Sequence, residues 1–430
     1  MNTTRLVRGF ALAWAASALL APADTHAAGY SIFEQGAAAL GMAGAYVASA
    51  HDASAQFYNP AALTRLKGKQ FMFGGTWLST RTSFAGVAPF PGFGTSEDMK
   101  NGAFFPPSAY WTNHLGSHWA YGVGLNSPFG LGIEWKNPEQ FSGRDRVTKA
   151  ALRTLAGSFD LAWAPSEHLS LAAGPNAMFA KVELNNIGTF VTSGGQPVNV
   201  TRARLDSDFK PGYGFNLAGL AEPWTNWRIG LSYKSKIEVN VNDGRATFTQ
   251  IPTGDAALDA AVAAGLPASQ AVKTQLVFPA SLVWGVAWEP EPQWTYELDG
   301  VWTGWSAFKK LPLTFAKNAS LNQDILENYA DQYQVRVGAE HRLEHCTYRV
   351  GYYYDQAAAP VESVTPLLPD ATRHGATLGW GTVRGAWAFD VYNLFVFFEK
   401  RSTEGVERDG YNGVYKTYVN ALGATLAYHW

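Results

Sequence analysis

The 430 residues carry 33 Lys and Arg against 35 Asp and Glu, a formal charge of −2, with 16% charged residues, 14% aromatics and a single cysteine. Near-neutrality gives no bias toward nucleic acid or another polyanion, and one cysteine excludes an intramolecular disulfide and any cysteine-based metal cluster. So little charge alongside 16 Trp also speaks against two or three ordinary soluble domains, in which about a quarter of residues are charged.

In chain order, Met1 to Ala27 opens with Arg5 and Arg8, runs apolar from Phe10 to Leu20 and ends Thr25-His26-Ala27. That is the form of a secretory signal peptide, so residues 1–27 are expected to be removed. No later apolar run reaches the roughly 18 residues a membrane helix needs. An exported, aromatic-rich chain of this kind is expected to enter a bilayer as an all-β, antiparallel barrel, because closure pairs every backbone group.

Residues 28–69 read AGYSIFEQGAAALGMAGAYVASAHDASAQFYNPAALTRLKGK and contain no credible membrane strand. Small residues dominate and charge is scarce, which suits neither a core nor a solvated tail. The segment is expected to be a plug enclosed by residues 70–430. Within it Asn59-Pro60-Ala61 marks a rigid turn, since Pro60 fixes φ and Asn59 can bond its own backbone.

From Gln70 onward the pattern alternates with period two. Strands are expected near 70–82, 107–114, 119–126, 150–163, 169–182, 211–222, 227–241, 275–288, 293–303, 332–343, 346–354, 373–381, 386–398 and 415–430, about fourteen in all. In 227–241 the apolar face is Trp227, Ile229, Leu231, Tyr233, Ile237, Val239 and Val241; in 275–288 it is Leu276, Phe278, Ala280, Leu282, Trp284, Val286 and Trp288. Short connections (115–118, 164–168, 223–226, 289–292, 344–345, 382–385) alternate with long ones, as periplasmic turns alternate with extracellular loops. Nine Trp flank the short turns (Trp111, Trp119, Trp163, Trp224, Trp227, Trp288, Trp294, Trp380 and Trp387), which predicts an aromatic girdle at the periplasmic face.

Two long loops carry helix signals, Thr253–Pro267 with Asp255 as cap and Ser320–Tyr329 with Ser320 and Gln323 at capping-box spacing. The chain ends with Leu422, Ala424, Leu426, Tyr428 and Trp430 on one face. Such an alternating last strand looks like the recognition signal of barrel assembly machinery.

GAAALGMAGAY and HDASAQFYNPAAL after a signal peptide, LNSPFGLGIEW at 125–135, Phe278-Pro279, TGWSAF and GYYYD together resemble the long-chain fatty acid outer-membrane transporter family, which includes aromatic-hydrocarbon channels (OMPP1/FadL/TodX). The resemblance runs over nearly the whole mature chain. It implies a fourteen-stranded barrel in a Gram-negative outer membrane, in contact with its lipid and lipopolysaccharide, with residues 28–69 as a hatch inside the lumen. It also implies passive uptake of hydrophobic molecules through an internal pocket and a lateral opening at an inward kink of the third strand.

Asn126, Pro128, Phe129, Gly130 and Gly132 fall where that kink is expected. Pro128 cannot donate to a ladder, and the glycines permit a bend. Tyr30 stands where the family places an aromatic that enters the pocket, and Phe33 is a further pocket candidate. A carboxylate ligand needs inward cations, for which Lys181, Lys234 and Arg336 are candidates; neutral aromatics or alkanes need none. The chain is expected to act as a monomer without catalytic residues, metal or cofactor. His51, Asp52 and Ser54 are a triad in sequence only, and a general diffusion porin is the weaker rival because it has no use for a hatch.

Overall fold

The computed structural model describes residues 30–430, so the expected signal peptide lies outside the described residues. Fourteen antiparallel segments close into one ring. They are β1 (Gln70–Gly86), β2 (Pro107–Leu115), β3 (Trp119–Asn126, resuming at Gly130–Glu134), β4 (Lys149–Ser166), β5 (Leu169–Val191), β6 (Pro197–Asp206 and Lys210–Trp224) and β7 (Trp227–Lys234 and Ile237–Gln250). The ring continues through β8 (Gln270–Phe278 and Ser281–Trp288), β9 (Trp294–Thr303), β10 (Gln332–Arg342), β11 (Thr347–Asp355), β12 (Arg373–Arg384), β13 (Trp387–Phe398) and β14 (Gly413–His429). Each strand pairs with the next, and β14 returns to β1 in an unbroken ladder from Gln70↔His429 to Gly86↔Gly413. Every expected strand is present.

Alternation sorts the faces. Outward positions are large and apolar, as at Phe71, Phe73 and Trp77 on β1 or Tyr333, Val335 and Val337 on β10; their inward neighbours Met72, Gln332, Gln334 and Arg336 are buried. At the short-turn end Trp119 stacks on Trp163 and Trp227 on Trp288, both with centroids 5.8 Å apart. Trp111 meets Trp430 at 5.3 Å, so the terminal residue joins the same rim.

The two apolar faces read along β7 and β8 do not stay on one side. Ile229, Leu231, Trp284 and Val286 are exposed on the outer face, whereas Ile237, Val239, Leu276 and Phe278 are buried. The switch falls at Ser235-Lys236 and Pro279-Ala280, between the pairs Lys234↔Ser281 and Ile237↔Phe278. Ser235 steps out of line to accept from the Phe215 amide through Oγ at 2.9 Å, and Pro279 has no amide to donate. A change of parity sends every later side chain to the other face. Just above the switch Lys236 and Glu238 point outward and pair at 2.7 Å.

Of the loop helices, α3 (Ala256–Gly265) forms as expected, with Asp255 accepting from the amides of Ala257 and Leu258. The Ser320 helix does not form. Ser320 donates to Asn318 Oδ1 at 2.6 Å instead of capping, and Gln323–Leu326 pairs with Lys310–Phe315 as a hairpin. Here a tertiary strand partner overrides a local signal.

Residues 30–69 form α1 (Ala37–Gly41), α2 (Ala55–Tyr58) and a 3₁₀ turn, Pro60–Arg65. Almost all of residues 30–66 are buried, against inward faces on opposite sides of the ring. The wall is cut back to glycine where this backbone passes. A Cβ on Gly230 would lie 2.2 Å from Val47 O, and one on Gly351 would lie 2.4 Å from Met42 C. Gly351→Val is therefore expected to lower stability by about 1–3 kcal/mol through overpacking, read as a lower unfolding midpoint. Gly157→Val, whose Cβ meets nothing within 4 Å, should leave the midpoint unchanged.

Candidate functional site

The N-terminal segment is held by polar groups on the wall. On β9 two adjacent inward carboxylates face its backbone. Asp299 Oδ2 accepts from the amides of Tyr46 at 2.9 Å and Val47 at 3.3 Å, and Glu297 Oε1 accepts from Ala48 at 2.6 Å. On β4 Asp160 Oδ2 accepts from Gln56 Nε2 at 2.6 Å. Asn59 works in both directions, its Oδ1 accepting from Ala61 N at 3.0 Å and its Nδ2 donating to Val47 O at 2.6 Å and Gly219 O at 3.1 Å. Pro60 begins the 3₁₀ turn, where a missing amide costs nothing, and buried Ala61 follows it. The wall carboxylates were not legible as anchors in the sequence, because inward acidic residues occur all along these strands.

β3 leaves the wall after Asn126. Its ladder with β2 ends at Ala109↔Leu125, and from Gly130 to Glu134 its ladder runs with β4, Glu134 O also accepting from Lys100 N at 2.7 Å. Opposite, Gly102–Phe104 pairs only with β1. The wall between residues 102–108 and 126–133 therefore has no ladder, and Phe104 fills it by lying on Gly132, where a Cβ would stand 2.1 Å from its ring. The displaced β3 backbone pairs inward instead: Ile32 N donates to Pro128 O at 2.8 Å and Gly130 N to Tyr30 O at 2.9 Å. Gln35 Nε2 adds a bond to Ser127 O at 2.8 Å.

Two cavities flank this junction, and Ser31, Ile32 and Phe129 line both. The outer one, about 630 Å³, runs from Phe105 and Leu131 at the ladder gap to Glu34, Asp370 and Arg373 within. Burial pushes the Asp370 carboxyl up to about 6, while it accepts from the amides of Ala358 at 3.1 Å and Ala359 at 3.0 Å. The inner cavity, about 130 Å³, is bordered by Phe33, Phe57, Met178, Phe278, Lys234 and Arg336.

Tyr30 lies in an aromatic cluster between β3 and the loops, with Trp305 at 4.8 Å and Phe308 at 5.6 Å, and donates to Val277 O at 3.0 Å. Phe33 packs edge-on to Tyr353 at 5.2 Å. Arg336 lies 4.3 Å over Phe33 and donates to Gln334 Oε1 at 2.6 Å and Gly44 O at 3.2 Å. Gly44 adopts φ +76, and a Cβ there would lie 2.9 Å from Arg336 Nη1, so glycine alone suits the position.

Lys234 Nζ stands 3.2 Å over the Phe57 ring. Among the described residues neither Lys234 nor Arg336 has a carboxylate within ion-pair distance; Asp299, opposite Arg336 on the ladder, bonds the Tyr46 and Val47 amides. Lys181 is not brought to either cavity. Alternation places it on the outer face with exposed Phe179, while Ala180 points in. His51, Asp52 and Ser54 do not form a triad, since Ser54 Oγ donates to Asp52 at 2.5 Å and His51 Nδ1 meets Tyr46 OH at 3.1 Å.

A closed antiparallel ring with an apolar outer belt, an aromatic rim and a filled interior is a transmembrane β-barrel of the outer-membrane type. Residues 18–426 match the family model described as outer membrane protein transport protein (OMPP1/FadL/TodX), and the chain belongs to that family. It is 26% identical over 407 residues to outer membrane protein P1 of Haemophilus influenzae, covering 85% of this chain and 84% of that protein. The 47 kDa outer membrane protein of Pasteurella multocida is 25% identical over 378 residues, covering 85% and 86%.

Among solved structures, a Pseudomonas aeruginosa FadL homologue superposes with a TM-score of 0.80 at 18% identity, over 94% of this chain and 100% of that one. The P. putida toluene transporter TodX gives 0.72 at 16%, over 95% and 99%. The protein is an outer-membrane transport protein with this fold.

Two outcomes follow. Asp299→Ala leaves two buried amides without their acceptor, so exchange at Tyr46 and Val47 should accelerate, with about 1–3 kcal/mol lost for each orphaned group. Above the barrel, burial pushes Glu327 in the extracellular loops up to about 8. The folded chain thus keeps a proton that the unfolded chain sheds above its ordinary carboxylate range, and stability falls as pH rises toward 8. The unfolding midpoint should drop between pH 6 and 8.5, and Glu327→Gln should flatten that dependence.

Proposed function

We propose that the protein takes up hydrophobic molecules bearing a carboxylate, long-chain fatty acids foremost, through the two cavities. The observation that carries this reading is the pair Lys234 and Arg336, two cations with no ion pair among the described residues, bordering a cavity where Phe33, Phe57, Met178 and Phe278 stand beside Asn and Ser side chains. A carboxylate there gains charge-assisted hydrogen bonds, and an alkyl tail gains about 25 cal/mol for each Å² buried. The outer cavity and the ladder gap at Asn126, Pro128, Phe129, Gly130 and Gly132 serve as the lateral way to the bilayer, so the tail never crosses water. Residues 28–69 act as the hatch, with Asn59-Pro60-Ala61 fixing its fold. Because Tyr30 and Ile32 bond directly to the kinked strand, movement of the hatch is transmitted to the gap.

A second reading rests on size. A cavity of about 150 Å³ holds one benzene, close to the inner cavity here, and the fold is shared with a toluene transporter. Uptake of labelled oleate and of toluene by cells with and without the protein separates the two. Under the first reading, Lys234→Met combined with Arg336→Met weakens oleate binding at least tenfold, about 1.4 kcal/mol, and leaves an alcohol of equal length unaffected. Equal losses for both ligands would favour a neutral ligand, and uptake of neither compound depending on the protein would remove both readings.

A further inference from the structure

The β2–β3 gap is not the only lapse in the wall. β6 and β7 pair from Trp224↔Trp227 to Asn216↔Lys234 and again from Asp206↔Arg245 to Thr201↔Gln250, but residues 207–214 and 236–244 share no ladder pairing. The two ladders are also out of step. Carrying the lower register upward sets Tyr213 opposite Ile237, whereas carrying the upper one downward sets it opposite Glu238, so β7 has one residue too many in between.

Strand β6 reads Pro211-Gly212-Tyr213-Gly214 here, a residue without an amide beside two without side chains. At its lower end Ser235 N still donates to Phe215 O and Phe215 N to Ser235 Oγ, both at 2.9 Å, and above that point packing closes the seam. A Cβ on Gly212 would lie 2.7 Å from the Ile237 and Val239 methyl groups, and one on Gly214 would lie 2.6 Å from Ser235 Oγ. At the top, Lys210 Nζ bonds Asp243 at 2.7 Å.

The position matters for ligand traffic. Asn216, Lys234, Ser235 and Ile237, which bound the seam's lower end, line the inner cavity. On the other side Tyr213 and Phe215 are 72% and 48% exposed on the outer face. Both lie nine to eleven residues above Trp224, roughly 23–28 Å up the tilted strand, the height at which an apolar band of about 25 Å ends. Pro128 stands nine residues above Trp119, so the two lapses share one level.

We propose that the β6–β7 seam is a second lateral passage, joining the inner cavity directly to the outer half of the bilayer for the same amphiphilic carboxylate; it rests on the uptake reading above. It opens by withdrawal of Ile237 from the glycines, breaking no ladder hydrogen bond.

The test uses disulfide staples in a Cys346→Ser background, Tyr213→Cys with Glu238→Cys across this seam and Phe104→Cys with Gly132→Cys across the β2–β3 gap, each compared with its reduced form. Oleate uptake should fall at least twofold with the β6–β7 staple, persist at a third or more with the β2–β3 staple, and cease with both, recovering in each case with reductant. Full uptake with the β6–β7 staple closed, or none with the β2–β3 staple alone, overturns the passage. Lack of oleate uptake by the parent protein would instead remove the uptake reading.

Ligand-free hydrogen exchange supplies an independent readout. Amides of 209–214 that point into the seam should exchange at least a hundredfold faster than amides at the same level between β4 and β5. Equal protection overturns the proposal even if every staple fails to form.

Discussion

Everything in the molecule depends on the ladder that joins β14 to β1. Seventeen consecutive residues of β1 find partners on the last strand, and once they do, the sheet has no terminal edge strand. Closure also creates an interior that must be occupied. Residues 30–66 meet that demand without a hydrophobic core of their own, because the wall supplies glycines where their backbone passes and carboxylates where their amides point. A segment of Ala and Gly would be unable to hold itself folded; between these surfaces it has one arrangement.

The N-terminal segment and the departure of β3 from its ladder with β2 are one structural unit. Removing β3 from its ladder with β2 leaves backbone groups at Pro128 and Gly130 that must be paired inside the barrel. Ile32 and Tyr30 pair them, so the lapse in the wall and the entry of the N-terminal segment satisfy each other. Phe129 and Ile32, at that junction, stand between the two cavities. The site is thus a property of three distant stretches, 30–36, 126–134 and the ends of β7 and β8.

Much of this architecture can be read in the sequence. Periodicity and the alternation of short and long connections place all fourteen strands, since the pleat and the two-sided environment leave a repeat of two residues. Tryptophans beside the short turns and Asp255 before an Ala-rich run are local signals of the same kind. The errors are informative. Ile237 and Phe278 look continuous in face with Leu231 and Trp284, yet point the opposite way, because the breaks at Ser235-Lys236 and Pro279-Ala280 change parity without changing hydrophobicity. Ser320 and Gln323 have capping-box spacing, but a neighbouring strand uses Gln323 in a hairpin. Lys181 sits among lumen-like residues in sequence and faces outward in space.

The sequence by itself determined the fold class, the strands and the order in which they follow one another. Each of these follows from short-range rules: alternation and turn chemistry. Only the tertiary structure decided which cations border the inner cavity, which carboxylates hold the backbone of residues 46–48, and where β6 and β7 fall out of register. Those outcomes depend on parity after bulges and on partners hundreds of residues apart, and neither leaves a mark in the local pattern.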